Sequence, residues 1–390
     1  MVFFKKNILF VCFFALLLSS CGRKKYTVND GEPVLSNSFE LIPDNRLLSV
    51  DVLPLPIVKD ACWEVTDFDY QNAGISMESY SKINVDQYKK YFSRKGDLDF
   101  YIHPIICNGN VYDIKKDATI VAYELKDEKV KKLWSARTLT SFSELKNILL
   151  SQARIEGKYI YITTSNGYIL SFDLEQKKVI WKTQFLTIFS ASPTIYGNVL
   201  YVVSGDDELY AIDKNNGKMI WKTTNYRNAN DKKQVFQISP VTIYDDKIVV
   251  GMSDGWIEVY SLDGNLIWKN KVISPRGENE DISDVCFPPL VYHNVVVAGG
   301  LKTSVMGFDF KTGQPLWQIP TGLNSFMLLN EQGFGFFIND KNENVCFVIE
   351  NGAIRWLKHH NEKAYFKISG YLNNGNTSYY QIINRYFDAY

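Results

Sequence analysis

Histidine is scarce in this chain of 390 residues, which carries only His103, His293, His359 and His360. No G-x-S-x-G elbow and no H-E-x-x-H segment occurs, so the common serine-hydrolase and zinc-protease arrangements are excluded. His103 stands before Pro104 and reads as a strand residue. His293 falls in the turn Tyr292-His293-Asn294, and the pair His359-His360 follows Trp356 in an expected loop, where adjacent surface histidines seldom hold a metal. There is no C-x-x-C pair, which argues against a zinc knuckle or a redox dithiol. Net charge is missing too. Forty-three basic residues balance 43 acidic ones, so nothing favours nucleic acid or an anionic surface. Long helical periods are few.

What the chain has is aromatic and apolar residues, 14% and 46% of the total, cut into short pieces by turn residues. The stretch from Ser192 to Trp221 is the clearest. Runs such as Leu200–Val203 and the alternation Leu209, Ala211, Asp213 are separated by Tyr196-Gly197-Asn198, Gly205-Asp206-Asp207 and Asn215-Asn216-Gly217. These are antiparallel strands joined by hairpins. One such four-stranded sheet has two bare edges and needs neighbours. The neighbours are visible as a repeat. Pro193, Pro240 and Pro289 each precede a tryptophan (Trp221, Trp268, Trp317) by 28 residues, and Ala153 and Leu328 hold the same slot before Trp181 and Trp356. Pro104 lies 30 before Trp134. Asp173, Asp213 and Asp309 stand eight before Trp181, Trp221 and Trp317; a glycine stands four before Trp221, Trp268, Trp317 and Trp356. Six units at 39 to 49 residues, four strands each, predict an all-β fold, a β-propeller of four-stranded antiparallel blades. Seven blades are expected, eight being the alternative. Cys62-Trp63-Glu64-Val65 reads as a final strand arriving before any blade has begun, so Trp63 is expected to close the ring by joining the C-terminal blade, where residues 366–390 supply strands but no tryptophan.

Residues 1–20 read as a signal peptide: Lys5-Lys6 is a basic start, and Ile8–Leu18 is an apolar run too short to cross about 30 Å of hydrocarbon. Leu18-Ser19-Ser20-Cys21-Gly22 resembles the bacterial lipobox, which makes Cys21 the expected lipidation site and gives membrane attachment through an N-terminal lipid. Residues 21–60 are expected to be a lipidated tether ending in the extended Leu53-Pro54-Leu55-Pro56, and residues 61–390 the propeller. Within the propeller, about 74–97 reads as an insertion, with Tyr80, Ile83, Tyr88 and Tyr91 able to line one face of a short helix. Residues 223–234 and 269–285 are long polar links between blades, the places where a rigid ring carries its binding surfaces.

With Cys12 in the signal and Cys21 lipidated, Cys62, Cys107, Cys286 and Cys346 remain, and their spacing selects no pairing. Single buried thiols are the expected state, disulfides the alternative. The recurring aspartates sit just before a hairpin, where Asp caps a turn through backbone N–H groups, and are not read as a calcium or catalytic set. Trp63, Trp134, Trp181, Trp221, Trp268, Trp317 and Trp356 are expected to pack between blades. Regular positions build the fold, so function must lie where the repeats differ.

The unit A-x-D-x-x-x-G-x-x-x-W, intact as Ala211, Asp213, Gly217 and Trp221, is similar to the pyrroloquinoline-quinone-like propeller repeats, over roughly residues 61–370. Cys21, Leu53–Pro56, the lone Trp63 and His103-Pro104 further resemble the propeller lipoprotein family that forms the B subunit of the outer-membrane β-barrel assembly machinery. Ser283, Asp284 and Val285 match that family's S-D-V-D segment, with Cys286 in place of its second Asp. The resemblance implies that this loop, and the one ending in Gln234, Val235, Phe236 and Gln237, contact the periplasmic domains of the barrel-inserting subunit. Asp284 would be the polar anchor. At the earlier loop no arginine occupies the position where the family carries one, so that contact is expected to be remodelled. The resemblance implies a non-enzymatic scaffold without cofactor, held at the outer membrane facing the periplasm, with unfolded outer-membrane proteins as further candidate partners and no nucleic acid. Two other readings stay open: an envelope propeller for a different peptide, glycan or protein, and a quinone-dependent dehydrogenase. The second would need a stacking cysteine pair, and the chain has no adjacent cysteines.

Overall fold

The computed structural model describes residues 41–44, 63–64, 105–107, 110–126, 129–149, 151–224, 238–275, 284–324, 327–329, 332–359, 366–373, 377–383 and 386–389. Among them the strands group into seven antiparallel sheets in chain order. The first holds β1 (Trp63–Glu64), β2 (Ile105–Cys107) and three further strands reaching Ala136. The second to sixth have four strands each, over residues 151–184, 194–222, 242–271, 290–319 and 328–359; the seventh has three, over 366–389. Within every sheet each strand pairs with its neighbour in sequence, so tight hairpins make all the connections.

The inner strands follow the prolines of the repeat. Thr194 and Leu290 open theirs directly after Pro193 and Pro289, and Thr242 two residues after Pro240. A proline there loses no ladder bond because the strand has not started. The two middle strands are buried on both faces: Tyr168–Asp173 throughout, Leu209–Asp213 and Val305–Asp309 in all but the last residue. The outermost strand alternates, as in Lys178–Gln184, which has one solvated face.

The tryptophans explain why the sheets need each other. Five apolar clusters each join two consecutive sheets, for example Ile248 and Val250 with Tyr201 and Val203, or Phe308 with Val249 and Val259. At the outer end of four of these junctions a tryptophan reaches across. The indole N–H groups of Trp181, Trp221, Trp268 and Trp317 donate to the carbonyls of Lys214 (2.9 Å), Leu262 (3.1 Å), Phe310 (2.8 Å) and Ile349 (2.9 Å) in the following sheet. The repeat glycine receives the ring. A Cβ built on Gly217, Gly264, Gly313 or Gly352 would lie 2.3 to 2.9 Å from the preceding sheet's tryptophan, and all four glycines have φ between +71° and +83°. The glycine four residues before one tryptophan therefore serves the tryptophan of the sheet before it. In the second sheet this slot is Lys177, at φ 55°, whose ammonium stands 5.9 Å from the centroid of Trp134.

The rest of the unit has equally local causes. Small or slender residues face each tryptophan across the outer strand pair: Ala122, Ser171, Ala211, Val259, Gly307 and Cys346. A register shift follows each of them, and such a bulge re-aims the strand. Asp173, Asp213 and Asp309 cap the next hairpin as expected: Oδ1 of Asp173 accepts from the amides of Glu175 (2.9 Å) and Gln176 (2.7 Å), and that of Asp309 from Lys311 (3.0 Å) and Thr312 (2.8 Å). On the inner side, buried threonine hydroxyls bridge sheets, Thr194 to the carbonyl of Val241 (2.7 Å) and Thr242 to that of Pro289 (2.5 Å).

Two expectations need correction. The Trp63 strand does not join the C-terminal sheet. β1 pairs with β2, Trp63 opposite Ile106 and Glu64 opposite Ile105, which makes the first sheet five-stranded and leaves the seventh with three. The innermost strand of the first sheet had an unpaired edge, and β1 supplies its partner groups. Cys107 is not a single thiol: it is disulfide-bonded, whereas Cys286 and Cys346 are free and buried. The expected tether also touches the sheets. Leu41 packs against the cluster between the fifth and sixth, and the amide of Asp44 donates to the carbonyl of Ile354 at 2.7 Å.

Candidate functional site

In each four-stranded antiparallel sheet the outer strand ends, and the inner strand begins, at the same end as the hairpin between the second and third strands, so among the described residues these segments share one face. These segments are knit to each other. The amide and hydroxyl of Ser253 donate to the buried carboxylate of Asp207 one sheet earlier, the amide at 2.9 Å. Thr321 donates to Asp340 at 2.8 Å, and the amide of Asn324 bonds Asn342 at 2.8 Å. A face held this way presents its side chains with little ordering left to be done on binding.

Of the residues expected to bind a partner, Ser283 and Gln234 to Gln237 lie outside the described residues, as do Cys21 and the 74–97 insertion. Asp284 and Val285 are described, and they sit on this face. Val285 is an inward residue, 1% exposed; its amide donates to the carbonyl of Met252 at 3.1 Å, and its side chain fills the space left by Gly251. Cys286 and Phe287 are buried after it. A buried thiol at 286 fits where a second carboxylate would need a partner. Asp284 is the polar residue left at the surface of this turn, and it is half-buried. Its carbonyl accepts from the Thr303 hydroxyl (3.1 Å), and the backbone of Gly300 approaches so closely that a Cβ there would lie 1.8 Å from that carbonyl oxygen.

The electrostatics of Asp284 are those of a carboxylate whose burial outweighs the donors around it. Burial raises its pKa above the ordinary carboxylate value; the Cys286 thiol, its own amide, the Leu301 amide and the charge of Lys302 oppose the rise without cancelling it. Oδ1 is sealed from water and has no hydrogen bond. Two exposed aliphatic side chains stand on the segments around it: Leu301, whose amide is beside the carboxylate, and Ile273, whose carbonyl accepts from Ser304 at 2.9 Å, one residue on from Thr303. A half-buried carboxylate beside exposed aliphatics can receive a cationic or N–H-bearing group from a partner. Sequence reading missed Ile273 and Leu301. The available signal was an aliphatic residue inside the turn segment Gly299-Gly300-Leu301-Lys302, where polar residues are usual.

A second part of the face is fixed by a charge. The link from the first to the second sheet forms a short helix, α1 (Phe142–Leu145), opened by a capping box in which Ser141 Oγ accepts from the Glu144 amide and Glu144 accepts from the amide of Ser141 (2.9 Å). Glu144 also pairs with Lys182, and Asn166 ties the carbonyls of Glu144 (2.6 Å) and Lys146 (3.1 Å) to the next sheet. The ion pair first, then the capping amides of Ser141 and Thr140, lower the Glu144 pKa to about 2. A depressed carboxylate pKa adds stability that is present above the unfolded-state value and lost as pH falls through the folded one. Between pH 5 and 2 this loss is expected to be about 1–2 kcal/mol, discounted for the exposure of Lys182. Urea unfolding of Glu144→Gln should show that much less difference between pH 7 and pH 3 than the parent; an equal pH dependence in both would refute the assignment. α1 holds Phe142 86% exposed, and Leu149 and Leu186 stand exposed on the same linked segments.

Among the described residues no group of three or more His, Cys, Asp or Glu side chains is placed to hold a metal. His293 occupies its expected turn, at φ 50°.

Comparison with known proteins gives a consistent answer. A family model described as outer membrane protein assembly factor BamB matches residues 116–358. The outer membrane protein assembly factor BamB of Escherichia coli (strain K12) is 30% identical over 269 residues, which cover 67% of each chain. That of Salmonella typhimurium is 29% identical over 264 residues, 66% of each chain. The crystal structure of BamB from Moraxella catarrhalis superposes with a TM-score of 0.58 at 16% identity, over 73% of this chain and 82% of that one. A europium-containing methanol dehydrogenase superposes with a TM-score of 0.57 at 11% identity, over 83% and 82%. At these identities the structural likenesses speak for the fold, and the sheets are the blades of a β-propeller of PQQ-like repeats.

Proposed function

The chain belongs to the family of outer membrane protein assembly factor BamB, and from that membership we propose that it is a non-enzymatic scaffold for inserting β-barrel proteins into the outer membrane. The observation that carries the reading is the family match over residues 116–358, which spans the face bearing Asp284. The scaffold acts by binding the periplasmic domains of the barrel-inserting subunit. Asp284 anchors a cationic or amide-bearing group, Leu301 and Ile273 pack around it, and the loop carrying Gln234 to Gln237 lies in the preceding link. Seven blades form the ring, the three-stranded C-terminal sheet being the last. Cys21 carries the lipid that holds the protein on the outer membrane, facing the periplasm. Unfolded outer-membrane proteins are further partners of the same face.

The deciding experiment uses the chain lacking residues 1–21 and the immobilised periplasmic domains of the barrel-inserting subunit from the same organism. Saturable capture in the low micromolar range or tighter is the expected result. No capture at high micromolar concentration by a chain that unfolds cooperatively would overturn the reading.

A further inference from the structure

The disulfide at Cys107 is a covalent site with a partner still to be named. Cys107 is disulfide-bonded and 3% exposed, at the last position of β2. Cys286 and Cys346 are free thiols in other sheets. Their burial pushes the Cys346 pKa up to about 12 and that of Cys286 well above its usual value, so both are held protonated and inert. Cys12, Cys21 and Cys62 remain. The β1–β2 register bears on the choice: Trp63 lies opposite Ile106 and Glu64 opposite Ile105, and in the sequence Cys62 precedes Trp63 just as Cys107 follows Ile106. Directly opposed residues in an antiparallel pair have Cα atoms about 4.5–5.5 Å apart, within the roughly 4.4–6.8 Å a disulfide spans.

We infer that Cys62 and Cys107 form a structural disulfide that staples the end of the lipid-bearing N-terminal segment to the innermost strand of the first blade. Each thiol gives up one proton and one electron. The electron pair reduces the disulfide of a thiol–disulfide oxidant in the export compartment, which leaves as a dithiol after a mixed-disulfide intermediate. Such a bond persists in an oxidising envelope compartment.

The test is a disulfide map of the wild-type chain lacking residues 1–21, produced by export. Denatured without reductant, alkylated and digested, it should yield Cys286 and Cys346 alkylated, and Cys62 and Cys107 in one cross-linked peptide pair that separates on reduction. Cleavage by a protease within residues 65–104 should leave two fragments that run as one species until reductant is added. Cys62→Ser should turn Cys107 from wholly protected to wholly alkylated. Alkylated Cys62 in the unreduced wild type, Cys107 linked to any other cysteine, or Cys107 still protected in Cys62→Ser would each overturn the assignment.

Discussion

Asp284→Asn is expected to weaken capture of the barrel-inserting subunit's periplasmic domains by at least tenfold, about 1.4 kcal/mol, while leaving the propeller as stable as the parent or more so. The two halves of this result have one cause. Oδ1 of Asp284 is sealed from water without a hydrogen bond, and burial raises the carboxyl pKa. For a carboxyl raised in the folded state, the favourable contribution is complete below the unfolded-state pKa and is lost as pH rises through the folded one, so near neutral pH the charge works against folding. An amide removes that charge in nearly the same volume. A partner that brings a cation to the open side of this half-buried carboxylate pairs with its charge, and loses that pairing in the amide variant. Asp284→Lys should be more severe, because it sets a like charge against the same partner group. Capture isotherms and urea unfolding of the same samples check both halves. An Asn variant that unfolds more easily and binds as tightly as the parent would show Asp284 to be a purely structural residue.

Gly217→Val is expected to destabilise the propeller by about 4 kcal/mol, a large fraction of a typical domain's stability. Gly217 has φ +72°, and a Cβ there would lie 2.3 Å from the ring of Trp181 and 2.8 Å from the Thr183 hydroxyl. A β-branched side chain meets both problems, backbone strain at positive φ and displacement of an indole whose N–H is bonded to Lys214 in the same turn. The carbonyl of Gly217 also accepts from Thr183 at 2.9 Å. By contrast Lys177, in the equivalent slot of the preceding sheet, tolerates φ 55° with its side chain beside Trp134, so the slot rejects a branched Cβ more than it requires glycine. Denaturant midpoints for Gly217→Val and Gly217→Lys should separate accordingly, valine being the worse. Equal midpoints for valine and the parent would refute the account of the glycine.

The sequence made the repeating blade readable because every element of the unit answers a need that repeats. Asp173 and Asp309 cap hairpins through amides two and three residues on, and the prolines stand just outside the inner strands. The tryptophans were legible as blade-to-blade contacts. Which atom receives them was not. Gly217 lies in the same motif as Trp221 but serves Trp181, and a one-dimensional pattern cannot tell a residue's own blade from its neighbour's. The same limit explains Trp63, whose local sequence imitated a blade-ending strand although its backbone pairs with Ile106. At the candidate site, the link 269–285 stood out because it is long and polar, and Asp284 within it was singled out by the resemblance to the family's S-D-V-D segment. Leu301 and Ile273 did not, since what ties their segments to that of Asp284 is a pair of hydrogen bonds, Thr303 to Asp284 and Ser304 to Ile273, that no local pattern announces.

The handing of each tryptophan to the following sheet gives the structure a direction. A blade in the middle of the chain can complete its own hairpins, yet the indole at its outer edge stays uncovered until the next blade's glycine and carbonyl have been delivered. A chain that folds from its amino end thus carries one unfinished rim, and this rim moves along the sequence as further blades arrive. Consolidation follows the order of arrival, and the growing end, not the completed blades, is the part that chaperones would have to shield.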